Sequence, residues 1–194
     1  MRLTVRDVDL WLSYRYQFQE VTIEDHDMII DNPYELFLLL LSNVRQDTEY
    51  TIQMFQDFNK IAQNVDVKEA LNARVFASQL EVEKLDECFK LIGEKPVKLS
   101  ARLQEIFVED FRKELADIKS PIARELYVLA RVSQLIHLCI GEYAALIVAA
   151  EMTGHYGVGV LLESCLADKI AFAGRSRRLI KNIIEGKISA RVAA

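Results

Sequence analysis

The sequence predicts an all-α fold: a four-helix bundle whose two helix pairs are joined by a long crossover containing a short extra helix, with an N-terminal arm in front. Three observations carry this expectation. The 194 residues are 51% hydrophobic with only seven Gly and three Pro, which suits long helices better than turn-rich strands. Apolar residues recur at three- and four-residue intervals over long windows. Start and stop signals then divide those windows into a helix pair, a connection and a second pair. The length suits one domain with a real core, assigned to residues 32–194, with residues 1–31 as the arm.

The arm is too hydrophobic for a disordered tail, with Leu3, Val5, Val8, Leu10, Trp11, Leu12, Tyr14, Tyr16 and Phe18. Alternation from Leu10 to Phe18 suits a strand, and the polar spacing from Thr4 to Glu20 permits a helix. Either way it must cover something, its own bundle or a partner. The first helix starts at Asp31-Asn32-Pro33, an Asn cap with Pro at the first helical position. It runs to about Gln63, with Phe37, Leu40, Leu41, Val44, Ile52, Phe55, Phe58 and Ile61 on one face. Asn64-Val65-Asp66 is a short link, so the second helix lies antiparallel to the first. That helix carries Leu71, Val75, Leu80, Val82, Leu85 and Phe89 and stops at Gly93. Pro96 keeps the following crossover non-helical. An amphipathic connecting helix spans Leu103–Ile118, and Ser120-Pro121 caps a third core helix from Ile122 to about Thr153. Gly154-His155-Tyr156-Gly157 turns the chain into the fourth, Val158 to about Glu185. The crossover restores alternating direction, the connectivity of a ferritin-like bundle.

Charge and cysteine usage exclude several functions. A net charge of −5 argues against generic nucleic-acid binding, which needs a clustered positive surface. Arg175, Arg177, Arg178, Lys181, Lys187 and Arg191 do cluster against Glu185 alone, and a basic tail can bind nucleic acid or an acidic membrane. The favoured reading is a solvated last helix whose cations complement its C-terminal dipole. Cys88, Cys139 and Cys165 are odd in number, widely spaced and set among apolar neighbours, so they read as buried small hydrophobes rather than a disulfide framework or zinc site. No apolar leader segment follows Met1. Leu135–Ala150 is strongly apolar but contains His137 and Glu142, and reads as the central helix of a soluble bundle. A cytoplasmic location is expected.

Four stretches carry a family resemblance: Glu35-Leu36-Phe37; Phe89-Lys90-Leu91-Ile92-Gly93-Glu94-Lys95-Pro96; Ala149-Ala150-Glu151-Met152-Thr153-Gly154; and Leu161-Leu162-Glu163. In order and spacing they resemble the YciF-like branch (DUF892) of the ferritin-like superfamily, bacterial stress-associated proteins, over residues 33–181. The resemblance implies a usually dimeric four-helix bundle with metal-binding carboxylates and a histidine pointing inward. Against that pattern the ligand positions of this chain are degenerate. The first-helix Glu falls on Thr48, with Glu49 rotated about 100° away. The second-helix Glu-x-x-His falls on Phe76 and Gln79, which places a phenylalanine where an ion and its water would sit. The third-helix Glu falls on Ile136, leaving His137, and the fourth-helix region reads Leu166-Ala167-Asp168-Lys169, with a positive charge where a cation would sit.

Such a set lacks the negative charge needed to hold two divalent cations, and a residual site would have to use Glu49, His137 and Asp168. His137 itself reads as a core or interface histidine. The Gly154–Gly159 stretch lacks the strand that a dinucleotide site requires. A reactive Cys139 or Cys165 beside Lys169 lacks a general base. Phe55, Phe58, Phe76 and Phe89 are expected on the core face. The expectation is therefore a non-enzymatic bundle without catalytic, cofactor-binding or metal residues. It is expected to form a homodimer, to serve a structural or protein-interaction role, conceivably in stress, and to meet a protein partner through residues 1–31. The alternatives are a metal-dependent oxidase or peroxidase with a rearranged site, and a nucleic-acid-binding stress protein using Arg175–Arg191.

Overall fold

A computed structural model describes residues 30–97 and 102–192, with side chains for all of these except 102–105 and 187–192. The helices are α1 (Pro33–Ile61), α2 (Val65–Ile92), α3 (Arg102–Asp117), α4 (Pro121–Met152) and α5 (Tyr156–Val192), with no strand among the described residues. The expected all-α four-helix bundle with an extra crossover helix is what forms. The arm, in its expected alternatives of strand or helix, lies outside the described residues apart from its last two positions.

The ends of the helices are held by the groups the sequence supplies. Asn32 Oδ1 accepts the Glu35 amide at 2.9 Å, while the Glu35 carboxylate reaches back to the Asp31 amide at 2.8 Å. These bonds satisfy donors that a helix start leaves open. Asn64 caps α2 in the same way, accepting from Asp66 and Val67. Gly93, at φ 74°, ends α2 with the Glu94 amide bonded to the Phe89 carbonyl, a left-handed closure that only glycine adopts without strain. Gly154, at φ 80°, turns α4 into α5. The last helix begins two residues earlier than expected and passes through Gly186 to Val192. A glycine inside a helix costs about 1 kcal/mol, which weakens the helix without stopping it.

Helices α1 and α2 form one antiparallel pair and α4 and α5 the other; α1 packs on α4, α2 on α5, and α3 lies against α1 and α4. Two apolar clusters fill the interior. One is built around Phe37, Leu41, Leu85, Leu146 and Leu162, the other around Phe55, Phe58, Leu71, Val128 and Leu129. The α1–α2 link is tied to α4 by Glu125, whose buried carboxylate accepts the Gln63 and Asn64 amides. Among the described residues α4 is the one helix long and apolar enough to cross a membrane by length and composition, yet only 39% of its most apolar window is buried in the bundle. Much of its apolar surface therefore faces outward.

Candidate functional site

Between the two apolar clusters each core helix contributes residues to a layer rich in polar groups. On α2 the buried face reads Val67, Ala70, Leu71, Arg74, Ser78, Glu81, Leu85 and Cys88, a 3.6-residue period that carries three polar side chains through the middle of the bundle. On α5 the corresponding face carries Lys169, Phe172 and Ser176. Helix α1 supplies Thr48, Thr51 and Phe55, and α4 supplies Ile136, Cys139 and Tyr143.

The centre of the layer is an ion triad. Glu81 Oε2 accepts from Arg74 Nη2 and from Lys169 Nζ, each at 2.6 Å, and all three side chains are about 1% exposed. Sharing one oxygen keeps the two cations within about 5 Å of each other. At an effective dielectric constant of about 20, that repulsion is about 3 kcal/mol, so Glu81 is what makes the arrangement tolerable. Aromatic faces assist. The Arg74 guanidinium lies 5.9 Å from the Phe55 ring centre and 5.8 Å from that of Phe172, and Lys169 Nζ lies 4.5 Å from the Tyr143 ring. Thr48 gives its proton to the Val44 carbonyl and so accepts from the Tyr143 hydroxyl at 3.3 Å. Burial holds the Tyr143 phenol well above its ordinary range.

This placement corrects the expected register on α2. Phe76 is 63% exposed and Gln79 is exposed too, so neither fills the interior, and Leu80 likewise faces outward. Two residues along a helix turn the side chain by about 200°, so with Arg74 and Ser78 inside, Phe76 must point out. Thr48, Ile136 and Lys169 are buried as the pattern required. Phe55, Phe58 and Phe89 are in the core; Phe76 is not.

The residual metal set does not assemble. Glu49 is exposed and paired with Arg45, exposed Asp168 faces Lys84, and His137 is exposed with Nδ1 on its own helix at the Ser133 carbonyl. His137 is therefore not a core residue. Among the described residues no three His, Cys, Asp or Glu side chains converge to hold a metal ion. Glu81 does lie inside, but it is a single carboxylate with Arg74 and Lys169 both on its Oε2, and two cations beside it repel a divalent ion. This donor set does not fit the two-metal centre that the ferritin-like fold implies.

The three cysteines are buried and free, as expected. Burial pushes the Cys88 thiol up to about 12 and those of Cys139 and Cys165 up to about 11, so Lys169 does not activate either neighbour. Glu142, half-buried on α4, is pushed up to about 7 by burial and then by Asp47, with Lys169 pulling weakly the other way. Arg177, Arg178 and Lys181 are exposed on α5, and Lys181 meets Glu185 at 3.5 Å. Sequence reasoning had not anticipated Arg74, Ser78, Glu81 and Ser176. The signal that was available is the heptad-like spacing of Arg74 and Glu81 in phase with Leu71, Leu85 and Cys88.

Known proteins share this architecture. YcfI of Rhodopseudomonas palustris, a proposed structural protein, superposes with a TM-score of 0.75 at 20% identity, covering 79% of this chain and 98% of its own. The Escherichia coli stress protein YciF gives 0.76 at 18% identity, covering 80% of this chain and 99% of its own. A protein of Xanthomonas campestris gives 0.67 at 17% identity, with 82% and 99% covered. At these identities the shared property is the fold. No curated protein matches the sequence. The model of the family described as domain of unknown function DUF892 matches residues 32–189, and the chain belongs to that family.

Proposed function

We propose that this protein is a non-enzymatic ferritin-like bundle that has lost the di-metal site and works as a structural or protein-interaction module, pairing with a second copy of itself along α4. The observation that carries the reading is an outward stripe on that helix. Leu138, Gly141, Ala145, Val148 and Met152 are all exposed and follow one another at steps of three and four residues. That spacing is the seam of packed helices, and the small residues at its centre let a second helix approach closely. Tyr156 and Val160 continue the exposed apolar surface beyond the turn into α5. So much contiguous apolar surface marks an interaction face.

The ion triad supports the non-enzymatic part. The interior carboxylate is held through one oxygen by two cations of the chain itself, which compete with any metal ion for it. Three free cysteines and an acidic net charge of −5 fit a reducing, cytoplasmic setting. The naming of YciF as a stress protein and of YcfI as a proposed structural protein favours roles of that kind. Residues 1–31 are a second candidate contact for a protein partner.

Analytical ultracentrifugation tests the reading. The full chain is expected to sediment as a dimer, and Leu138→Glu combined with Val148→Glu is expected to give a folded monomer by circular dichroism. A wild-type monomer, or a variant of unchanged mass, refutes the α4 interface. Protein purified without chelator is expected to carry far less than one iron or manganese per chain; a stoichiometric content refutes the loss of the metal site.

A further inference from the structure

The face shared by α1 and α4 is covered at one end and bare at the other. Toward the end of α1, α3 lies across both helices. Its Phe111 ring sits 4.6 Å from that of Phe58 on α1 and stacks 5.7 Å from that of Tyr127 on α4. At the other end Thr48 meets Tyr143 and Phe37 stacks on His155, a register that brings the first turns of α1 beside the last turn of α4. There Leu36 is 44% exposed and Met152 76%.

This bare end is apolar. Leu36, Phe37, Leu38, Leu39, Leu40 and Leu41 follow without a break, and six consecutive steps of about 100° go right round a helix, so α1 has no polar side here. Phe37 and Leu41 are buried in the bundle. Leu36 and Leu39 belong to neither apolar cluster and, with Met152, stand over half-buried Leu40 and Ala149. A helix that is hydrophobic all round is normally covered all round.

The chain carries a segment of the right kind at the right place. The family match begins at residue 32, so the arm is an addition to the shared bundle. The described chain starts at Ile30, immediately before the Asn32 cap of α1. From Ile30 to Leu40 is about 15 Å along the helix axis, whereas residues 19–29 can span up to about 35 Å. That stretch is acidic, with Glu20, Glu24, Asp25 and Asp27, and serves as the link; the apolar part of the arm, Leu10–Phe18, lies beyond it. A tether this short gives an effective concentration of the order of millimolar, which a second chain does not match at ordinary protein concentrations.

We propose that the arm folds back on its own chain and seats Leu10–Phe18 on the bare end of the α1/α4 face, against Leu36, Leu39 and Met152, end to end with α3. The seat adjoins the outward stripe of α4, sharing Met152 with it, and does not depend on pairing of two copies. Trp11, the one tryptophan of the chain, reports on it. In the native full chain its emission is expected to lie well to the blue of the urea-unfolded chain and to be shielded from acrylamide. Leu36→Glu combined with Leu39→Glu is expected to move the emission to the unfolded position and abolish the shielding, with helicity by circular dichroism unchanged. Leu91→Glu, at an exposed leucine on α2, is expected to change neither. A photo-crosslinking residue in place of Tyr14 supplies a second readout that needs no charge in the seat. Its product is expected to have the mass of one chain, with the link in the first turns of α1 or the last turn of α4. Trp11 emission that already lies at the unfolded position in the native chain, or that ignores the charges at Leu36 and Leu39, overturns the proposal. So does a crosslinked product with the mass of two chains, which would put the arm on a second copy.

Discussion

Replacing Glu81 and replacing Lys169 should have very different consequences, although the two side chains touch. Glu81→Gln leaves Arg74 and Lys169 within about 5 Å of each other with no carboxylate between them. Removing one partner from a buried ion pair costs about 3–5 kcal/mol because the remaining charge is stranded. Here two charges are stranded, and their mutual repulsion of about 3 kcal/mol is no longer offset. The upper part of the range is therefore expected, a drop of roughly 8–20 °C in Tm for a domain of this size. Lys169→Met keeps the Arg74–Glu81 bond at 2.6 Å, leaves one charge of each sign and fills much of the lysine stem's volume. Its expected effect is within about 1.5 kcal/mol of wild type, and the double variant Glu81→Gln, Lys169→Met should recover part of the loss. Urea unfolding of the four proteins, followed by far-ultraviolet circular dichroism, measures all of these differences. Equal losses for Glu81→Gln and Lys169→Met would refute the argument, since they would make the two members energetically equivalent and leave no excess of positive charge.

Two further outcomes follow from the same interior. Burial raises the Glu142 carboxyl from 4.5 to about 7, so the folded protein binds its proton more tightly than the unfolded chain does. Stability should therefore fall as pH rises from 4.5 through about 7, and Glu142→Gln should remove that slope; parallel pH profiles for the two proteins would contradict the assignment. The thiols of Cys88, Cys139 and Cys165 should be silent toward an aromatic disulfide reagent in the native state, because burial blocks access and a thiol near 11 holds about a hundredfold less thiolate than a free one. All three should react in denaturant, and rapid native labelling of any one would show that its helix opens.

How much of this could be read in advance depended on whether the signal was local. Asn32-Pro33, Ser120-Pro121 and Gly93 act within one helical turn: the first two start helices and Gly93 ends one where the residues say they should. The α1 face was legible because its buried positions are apolar, apart from Ser42, Thr48 and Thr51. Helix α2 was misread because apolarity and burial part company there: Phe76 and Leu80 look outward while Arg74, Ser78 and Glu81 look inward. A binary pattern assigns such residues to the wrong face, since it has no means of knowing that a buried glutamate has a partner. Of its two partners Arg74 is on the same helix, but Lys169 is 88 residues away, and only the antiparallel packing of α2 on α5 brings it to Glu81. The same non-locality hid Glu125, whose role is to close a link that lies 62 residues earlier in the chain.

The misread helix also shows what the polar layer does to specificity. The two apolar clusters alone would tolerate α2 rotated or shifted along its axis, because leucine and phenylalanine interchange without a strong directional penalty. The triad removes that freedom. Turning α2 by one residue carries Glu81, with Arg74 on the same helix, about 100° away from Lys169 and leaves the Lys169 cation buried without its carboxylate. The same rotation would draw Phe76 and Leu80 toward the core, a gain in burial that the native register forgoes. The register with Phe76 outside is thus selected by electrostatics against the hydrophobic preference of the helix. Exchanging the triad for Met at all three positions should accordingly leave stability intact while broadening the amide resonances of α2, as the helix samples more than one rotation.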